Sequence, residues 1–149
     1  MKLLSKERMM GGMGLLPPCS TYHRFAVGMT GDKMSSSKPE STIFMDDDIE
    51  AMSKKVKRAI SGGQPTVEEH RRLGGDVSKD VAFQYLQFFF EQDDNALHEV
   101  QKEYESGRLL AGEVKQLCID RATEWLGELS EKRAQWEDRV DEFLAQDAI

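Results

Sequence analysis

The chain has 149 residues and a mass of 16.9 kDa, enough for one domain with a hydrophobic core and too few for two domains of ordinary size. Its 27 Asp and Glu against 20 Lys and Arg give a net charge of -7, so the average surface repels nucleic acid and a polyanion requires a local basic patch. No run reaches the roughly 18 apolar residues of a membrane span, so we expect no integral membrane protein.

Residues 1–45 are rich in Gly, Pro and Ser and show no helical periodicity. Met1–Leu16 has a basic start, but glycines interrupt its apolar run and no cleavage site follows, so we expect no signal peptide. Cys19 and Cys118 lie in no metal-like spacing and are expected to be free thiols of a reducing compartment. Together these features predict a cytoplasmic protein.

The first predicted element is a short strand over Tyr22–Met29, which the turn signal Thr30-Gly31-Asp32 ends. One short strand is not stable alone, so this region is expected to be the edge of a larger sheet. The segment Asp32–Pro39, "DKMSSSKP", follows. Its ammonium groups, hydroxyls and backbone N–H groups suit phosphate oxygens, but a solvated flexible loop has the same composition, and the residue types alone leave both interpretations open.

Helical periodicity begins after residue 45. Asp46–Asp48 offer an N-cap to a helix that starts at Ile49 and ends near Ser61-Gly62-Gly63. Thr66, with Glu69 three residues later, has the spacing of a capping box and predicts a short second helix that stops at Gly74-Gly75.

Three longer helical segments complete the chain. Ser78–Gln92 is too apolar around its circumference for a surface helix and is expected to be the central helix of a bundle. Asn95–Glu105 is amphipathic. Ala111–Gln146 predicts one long helix, or two joined by a break near Lys132, whose apolar stripe packs onto the bundle or forms a coiled coil.

The order of residues in the polar loop is informative, because Lys33-Met34-Ser35-Ser36-Ser37 resembles the "KMSKS" signature of class I aminoacyl-tRNA synthetases. The match continues on both sides, through Tyr22–Phe25, Gly28, Thr30-Gly31, Lys38–Ser41 and Ile43-Phe44. Downstream, "SGGQPTVEEHRRLGGD", "VAFQYLQFFFEQDD" and "YESGRLLAGEVK" look like the C-terminal helical domain of tryptophanyl-tRNA synthetases of the archaeal and eukaryotic type. The resemblance covers about residues 17–149.

The resemblance implies a mostly α fold. Residues 1–45 would be the C-terminal remnant of a Rossmann-like α/β catalytic domain, and residues 46–149 an α-helical bundle that binds the anticodon. The family is a ligase that activates tryptophan with ATP and Mg²⁺ to tryptophanyl-adenylate and then charges tRNA(Trp). We expect ATP and Mg²⁺ as co-substrate and ion of the parent enzyme, and no protein-bound metal.

The same resemblance assigns the ATP phosphates to Lys33, Met34, Ser35, Ser36 and Ser37, with catalytic roles for Lys33, Ser35 and Ser36. Lysine is a point charge on a flexible stem, and each serine can donate one hydrogen bond. A loop that closes over a triphosphate would stabilise the charge that moves onto the leaving pyrophosphate. One departure is that Ser36 replaces the second lysine of the signature, and Lys38 stands two positions further on.

A larger departure concerns the "HIGH" signature, which precedes this loop in the family. The histidines of the chain, His23, His70 and His98, stand in no such motif. The resemblance therefore implies that the chain is a C-terminal portion that begins at an internal methionine. It implies further that the chain is inactive alone and binds tryptophan only together with an upstream domain. The family is homodimeric, whereas the residues leave the oligomeric state open. The alternatives are a non-catalytic tRNA-binding or dimerising module and a fragment without activity.

A candidate contact with tRNA lies between the two Gly-Gly breaks. Arginine and exposed loop amides can grip phosphates and unstacked bases, whereas a basic helix end stabilised by the helix dipole is the alternative. These candidate residues are Gln64, His70, Arg71 and Arg72. A second basic cluster with the same two interpretations comprises Lys54, Lys55, Lys57 and Arg58.

Three further features have a structural interpretation that we prefer. His23 could be a general base, but no nucleophile and orienting acid accompany it. The triplet Asp46–Asp48 lacks the alternating ligand spacing of a calcium loop, so helix capping is preferred to a metal site. Phe88–Phe90 cannot all face one way, and we expect core packing rather than a base-stacking platform.

Overall fold

The computed structural model describes residues 20–21, 25–137 and 139. The predictions for Met1–Leu16, Cys19 and His23, and for the end of the last helix near Gln146, lie outside these residues. No helix of the described part is long and apolar enough to cross a bilayer.

The described part of the protein is mostly helical, as predicted. Its helices are α1 (Ile49–Arg58), α2 (Val67–Leu73), α3 (Val81–Tyr85), which continues as a π-helical segment (Leu86–Phe90), α4 (Asp94–Glu105) and α5 (Ala111–Trp136). A 3₁₀ turn over Pro39–Ser41 precedes them. Where residues 25–29 were expected to form a strand, a single antiparallel bridge joins Val27 to Lys33, because no further strand of the described residues pairs with this segment.

The predicted helix caps are present. The Asp48 carboxylate accepts a hydrogen bond of 2.6 Å from the Ala51 N–H at the start of α1. The Thr66 hydroxyl oxygen accepts one of 3.2 Å from the Glu69 N–H at the start of α2. Both caps are local interactions between residues three apart, which is why the side-chain types sufficed to predict them. Helix α1 ends at Arg58, slightly before the predicted glycine stop.

Helix α5 packs against α1, α3, the π-helical segment and α4. Four of its buried residues, Val114, Cys118, Ala122 and Leu126, recur at every fourth position, and Ile119 is buried beside them. Beyond Leu126 the helix continues without a break past Lys132, but Trp136 is 45% exposed. The apolar stripe therefore packs onto the bundle in its first half, and its second half projects from it.

Helix α3 is the most enclosed element, as predicted, because every residue from Val81 to Leu86 is buried. It starts later than expected, at the N-cap Asp80, since Ser78 lies in the preceding turn.

The π-helical segment rotates the aromatic run, so that Phe90 packs edge-on against Trp125 while Phe89 is 48% exposed. The core interpretation of this run therefore fails for Phe89.

One buried carboxylate joins three segments of the bundle. Asp80, 0% exposed, accepts hydrogen bonds from the Phe83 N–H at 2.9 Å, the Gly62 N–H at 3.0 Å and the Tyr104 hydroxyl at 2.8 Å. Burial and the nearby Asp80 charge raise the pKa of Tyr104, so its hydroxyl stays a donor. The loop after α1, the start of α3 and the end of α4 are thereby fixed to one another.

The substitution Asp80→Asn tests how much these three hydrogen bonds contribute to stability. The amide presents N–H groups where the carboxylate accepted, and leaves at least one buried donor unpaired. We expect a loss of about 2–4 kcal/mol in the free energy of unfolding, measured by urea denaturation. The matched control is Asp93→Asn, at the exposed N-cap of α4, which should change the stability by less than about 0.5 kcal/mol because Asn is an equivalent cap. Equal, small losses at both positions would contradict this role of Asp80.

Candidate phosphate-binding loop

A tight turn places the start of the polar loop. The Gly28 N–H donates to the Asp32 carbonyl at 2.7 Å, and the Gly31 N–H donates to the Gly28 carbonyl at 2.8 Å. Gly31 has a φ of +84°, in the left-handed region, and a side chain there would also collide with Ile60. Glycine is therefore required at this position. Two residues later, Lys33 forms the antiparallel bridge with Val27.

A buried hydroxyl holds the other end of the loop. Ser41 is 0% exposed, and its oxygen accepts the Ser35 N–H at 3.0 Å and donates to the Lys38 carbonyl at 2.7 Å. Backbone bonds from Lys38 N–H to Ser35 (3.0 Å) and from Ser41 N–H to Lys38 (2.8 Å) tighten the same turn. The burial of Ser41 depends on tertiary packing and was not predicted from the sequence.

The exposed atoms of the loop are those that suit an anion. Lys33, Ser36, Ser37 and Lys38 are exposed, and Ser35 is half-buried with its hydroxyl 2.8 Å from that of Ser37. Neither lysine forms an ion pair with a carboxylate of the described residues. Two free ammonium groups therefore flank three serine hydroxyls. Phosphate oxygens accept hydrogen bonds from donors of both kinds.

Met34 faces the other way. Its half-buried thioether sulfur lies 3.3 Å from the Tyr85 hydroxyl and 3.5 Å from that of Thr42. A thioether is an uncharged, weak acceptor and offers no donor to phosphate. The structure thus separates Met34 from the other four predicted phosphate-contacting residues and places its side chain against the bundle.

The segment after the loop is tied to α1. Asp47 pairs with Lys55 at 2.5 Å and accepts the Phe44 N–H at 2.9 Å, and the Lys55 ammonium lies 4.7 Å from the Phe44 ring centroid. These contacts satisfy Asp47 within the fold, as the α1 cap does for Asp48.

The second basic cluster is divided in two by these contacts. Lys55 is largely buried, and Lys54 pairs with Glu50 at 2.6 Å. Lys57 and Arg58 are exposed and their side chains bond no other described residue. They alone of this cluster remain free to meet an anion.

The predicted tRNA-contacting residues also divide. His70 is 3% exposed; its Nδ1 accepts the Gln64 N–H at 3.4 Å, so Nε2 carries the proton and donates to the Leu109 carbonyl at 2.9 Å. Both ring nitrogens are engaged inside the fold. His70 thereby joins the loop before α2 to the segment before α5.

Arg71 and Gln64 likewise bond the backbone. The Arg71 guanidinium donates to the Gly107 carbonyl at 3.0 Å and to that of Arg108, and the Gln64 amide donates to the Gly74 carbonyl at 3.1 Å. Arg72 is exposed and its side chain bonds no other described residue. Within this set, Arg72 has the side chain that is free for a new contact.

The described residues contain no group of three or more His, Cys, Asp or Glu side chains that could hold a metal ion.

Comparisons with known proteins agree with the loop signature. The family model "tRNA synthetases class I (W and Y)" matches residues 5–127. The tryptophan–tRNA ligase of Saccharolobus solfataricus is 42% identical over 134 residues, which are 88% of this chain and 35% of that protein. That of Archaeoglobus fulgidus is 45% identical over 122 residues, 82% of this chain and 29% of that protein.

Solved structures agree as well. The crystal structure of tryptophanyl-tRNA synthetase from Aeropyrum pernix K1 superposes with a TM-score of 0.82 at 36% identity, covering 87% of this chain and 35% of that one. This chain thus spans about a third of the length of the relatives that it matches. The match of the family model over most of the sequence, together with these identities, shows that the chain belongs to the class I tRNA synthetases of the tryptophan and tyrosine (W and Y) family.

Proposed function

We propose that the chain is the C-terminal part of a tryptophan–tRNA ligase, and that its Lys33–Ser37 loop binds the phosphates of ATP. One observation carries this proposal: the ammonium groups of Lys33 and Lys38, which form no ion pair with a described carboxylate, lie on either side of three serine hydroxyls. The identities of 42% and 45% to curated tryptophan–tRNA ligases support tryptophan as the amino acid.

In the proposed reaction, the tryptophan carboxylate attacks the α-phosphorus of ATP. The bond from that phosphorus to the bridging oxygen breaks, and tryptophanyl-adenylate and pyrophosphate form. Lys33 and the hydroxyls of Ser35 and Ser36 would hold the β- and γ-phosphates, where negative charge increases as the pyrophosphate leaves. Donors fixed before the reaction stabilise that charge more than donors that must first be ordered.

We further propose that residues 1–45 end a Rossmann-like catalytic domain and that residues 46–149 bind the tRNA(Trp) anticodon. The distribution of buried apolar residues supports this division. Among the described residues before residue 46, Met29 is the one buried apolar residue. The cytoplasmic location and the homodimer are proposed on the family resemblance. The "HIGH" signature does not occur in the 149 residues, so we propose that activity needs the upstream two thirds of the enzyme.

ATP–pyrophosphate exchange tests the proposed reaction. We expect no tryptophan-dependent exchange by the chain alone, and exchange when it replaces the matching C-terminal part of the Saccharolobus solfataricus enzyme. In that fusion Lys33→Ala should lower kcat about 100-fold, a typical loss for one transition-state donor. The control Lys132→Ala changes an exposed lysine of α5 that pairs with Glu128, and it should leave the rate unchanged.

Two results would contradict the proposal. One is exchange by the chain alone, which would show that the upstream part is not needed. The other is an inactive but folded fusion; combined with selective binding of tRNA(Trp), it would favour the non-catalytic tRNA-binding module instead.

The tRNA contact is tested at Arg72. We expect Arg72→Ala to weaken binding of a tRNA(Trp) transcript about three- to tenfold and to lower the slope of log K against log salt by about 1, as for the loss of one phosphate contact. Arg133→Ala, at an exposed arginine of α5, is the matched control and should change neither quantity. Equal effects of both substitutions would remove Arg72 from the proposed interface.

A further inference from the structure

We propose that Tyr85 and Thr42 are positioning residues that hold the Lys33–Ser37 loop on the helical bundle through the sulfur of Met34. What the loop binds rests on the function proposed above, whereas the attachment itself rests on the contacts alone. We name the set of Met34, Thr42 and Tyr85 the sulfur latch.

The geometry of the sulfur latch joins residues far apart in the chain. The Tyr85 hydroxyl donates to the Met34 sulfur at 3.3 Å across 51 positions, and the Thr42 hydroxyl donates to it at 3.5 Å. Tyr85 belongs to the enclosed helix α3 and is 3% exposed, whereas Met34 lies next to the exposed Lys33. A core element thus reaches the exposed loop directly.

The donor in this contact is both permanent and well placed. Burial raises the pKa of Tyr85 to about 12, so the hydroxyl keeps its proton at physiological pH. The ring packs edge-on against Phe89, with 5.3 Å between centroids, and lies 6.3 Å from Phe90. These neighbours restrict the ring, and its hydroxyl lies beside the Met34 sulfur and the Thr42 hydroxyl.

The sulfur latch sets the shape of the loop together with Ser41. Met34 fixes the chain between Lys33 and Ser35, and the buried Ser41 hydroxyl fixes it again at Ser35 and Lys38. A loop held at two points loses less conformational entropy when an anion orders it, so its affinity for phosphate should be higher. Tyr85 and Thr42 would act on the ligand only through this ordering, since the hydroxyl of each donates to the Met34 sulfur.

Amide hydrogen exchange of the full chain, followed by NMR, tests the latch. Tyr85→Phe removes the hydroxyl and keeps the ring, and Thr42→Val removes the hydroxyl and keeps the shape. We expect the Ser35 and Lys38 amides to exchange about three- to tenfold faster in each, the effect of losing one modest hydrogen bond. Thr42→Ser keeps the hydroxyl and should exchange like the wild-type chain.

A second measurement separates positioning from general stability. The amides of Val56 and Val114, in the cores of α1 and α5, should exchange at the wild-type rate in both variants. Inorganic tripolyphosphate, titrated into the same proteins, should bind about two- to fivefold more weakly to Tyr85→Phe than to the wild-type chain, in proportion to the loosened loop.

Equal acceleration of the loop and core amides would overturn the proposal, because Tyr85 would then be an ordinary core residue. Faster loop exchange in Thr42→Ser, matching Thr42→Val, would overturn it as well. Selective loosening of the loop in a chain that binds no tripolyphosphate would support the latch and contradict the proposed function, so the two proposals can fail separately.

Discussion

The fold depends on the buried carboxylate of Asp80. It accepts three hydrogen bonds, from the Phe83 N–H in the first turn of its own helix, from the Gly62 N–H and from the Tyr104 hydroxyl, and so fixes the start of α3 against two other segments. Helix α3 carries Tyr85 little more than one turn later, and its hydroxyl reaches Met34 in the polar loop. An interaction in the core thereby determines where an exposed loop sits, because each intermediate element is packed and hydrogen-bonded.

The loop combines a rigid base with free charges, in a protein whose net charge is -7. Carboxylates satisfy several basic side chains within the fold, as Asp47 does for Lys55 and Glu91 for Arg121. Lys33 and Lys38 have no such partner among the described residues, although carboxylates are abundant. Unpaired cations beside exposed hydroxyls bind phosphate without first breaking an ion pair, which agrees with the membership of the chain in a class I synthetase family.

The sequence predicted what short-range chemistry determines. The caps at Asp48 and Thr66 depend on residues three positions away, and the loop signature is a contiguous string. The sequence did not predict the three hydrogen bonds of Asp80 or the burial of Ser41, since both depend on partners brought together by tertiary packing. The burial of His70 was not predicted for the same reason, because its partner Leu109 is 39 positions away. The exposure of Phe89 follows from a π-helical turn that residue periodicity does not reveal.

Phosphate binding by the polar loop is tested most directly by an NMR titration of the wild-type chain with inorganic tripolyphosphate, in which every backbone amide is followed. We expect the largest chemical-shift changes on residues 33–38, with small changes on the exposed basic ends of α1 and α2. If the largest changes fall instead on Lys57 and Arg58, or if no amide shifts at millimolar tripolyphosphate, then the polar loop is not a phosphate-binding site.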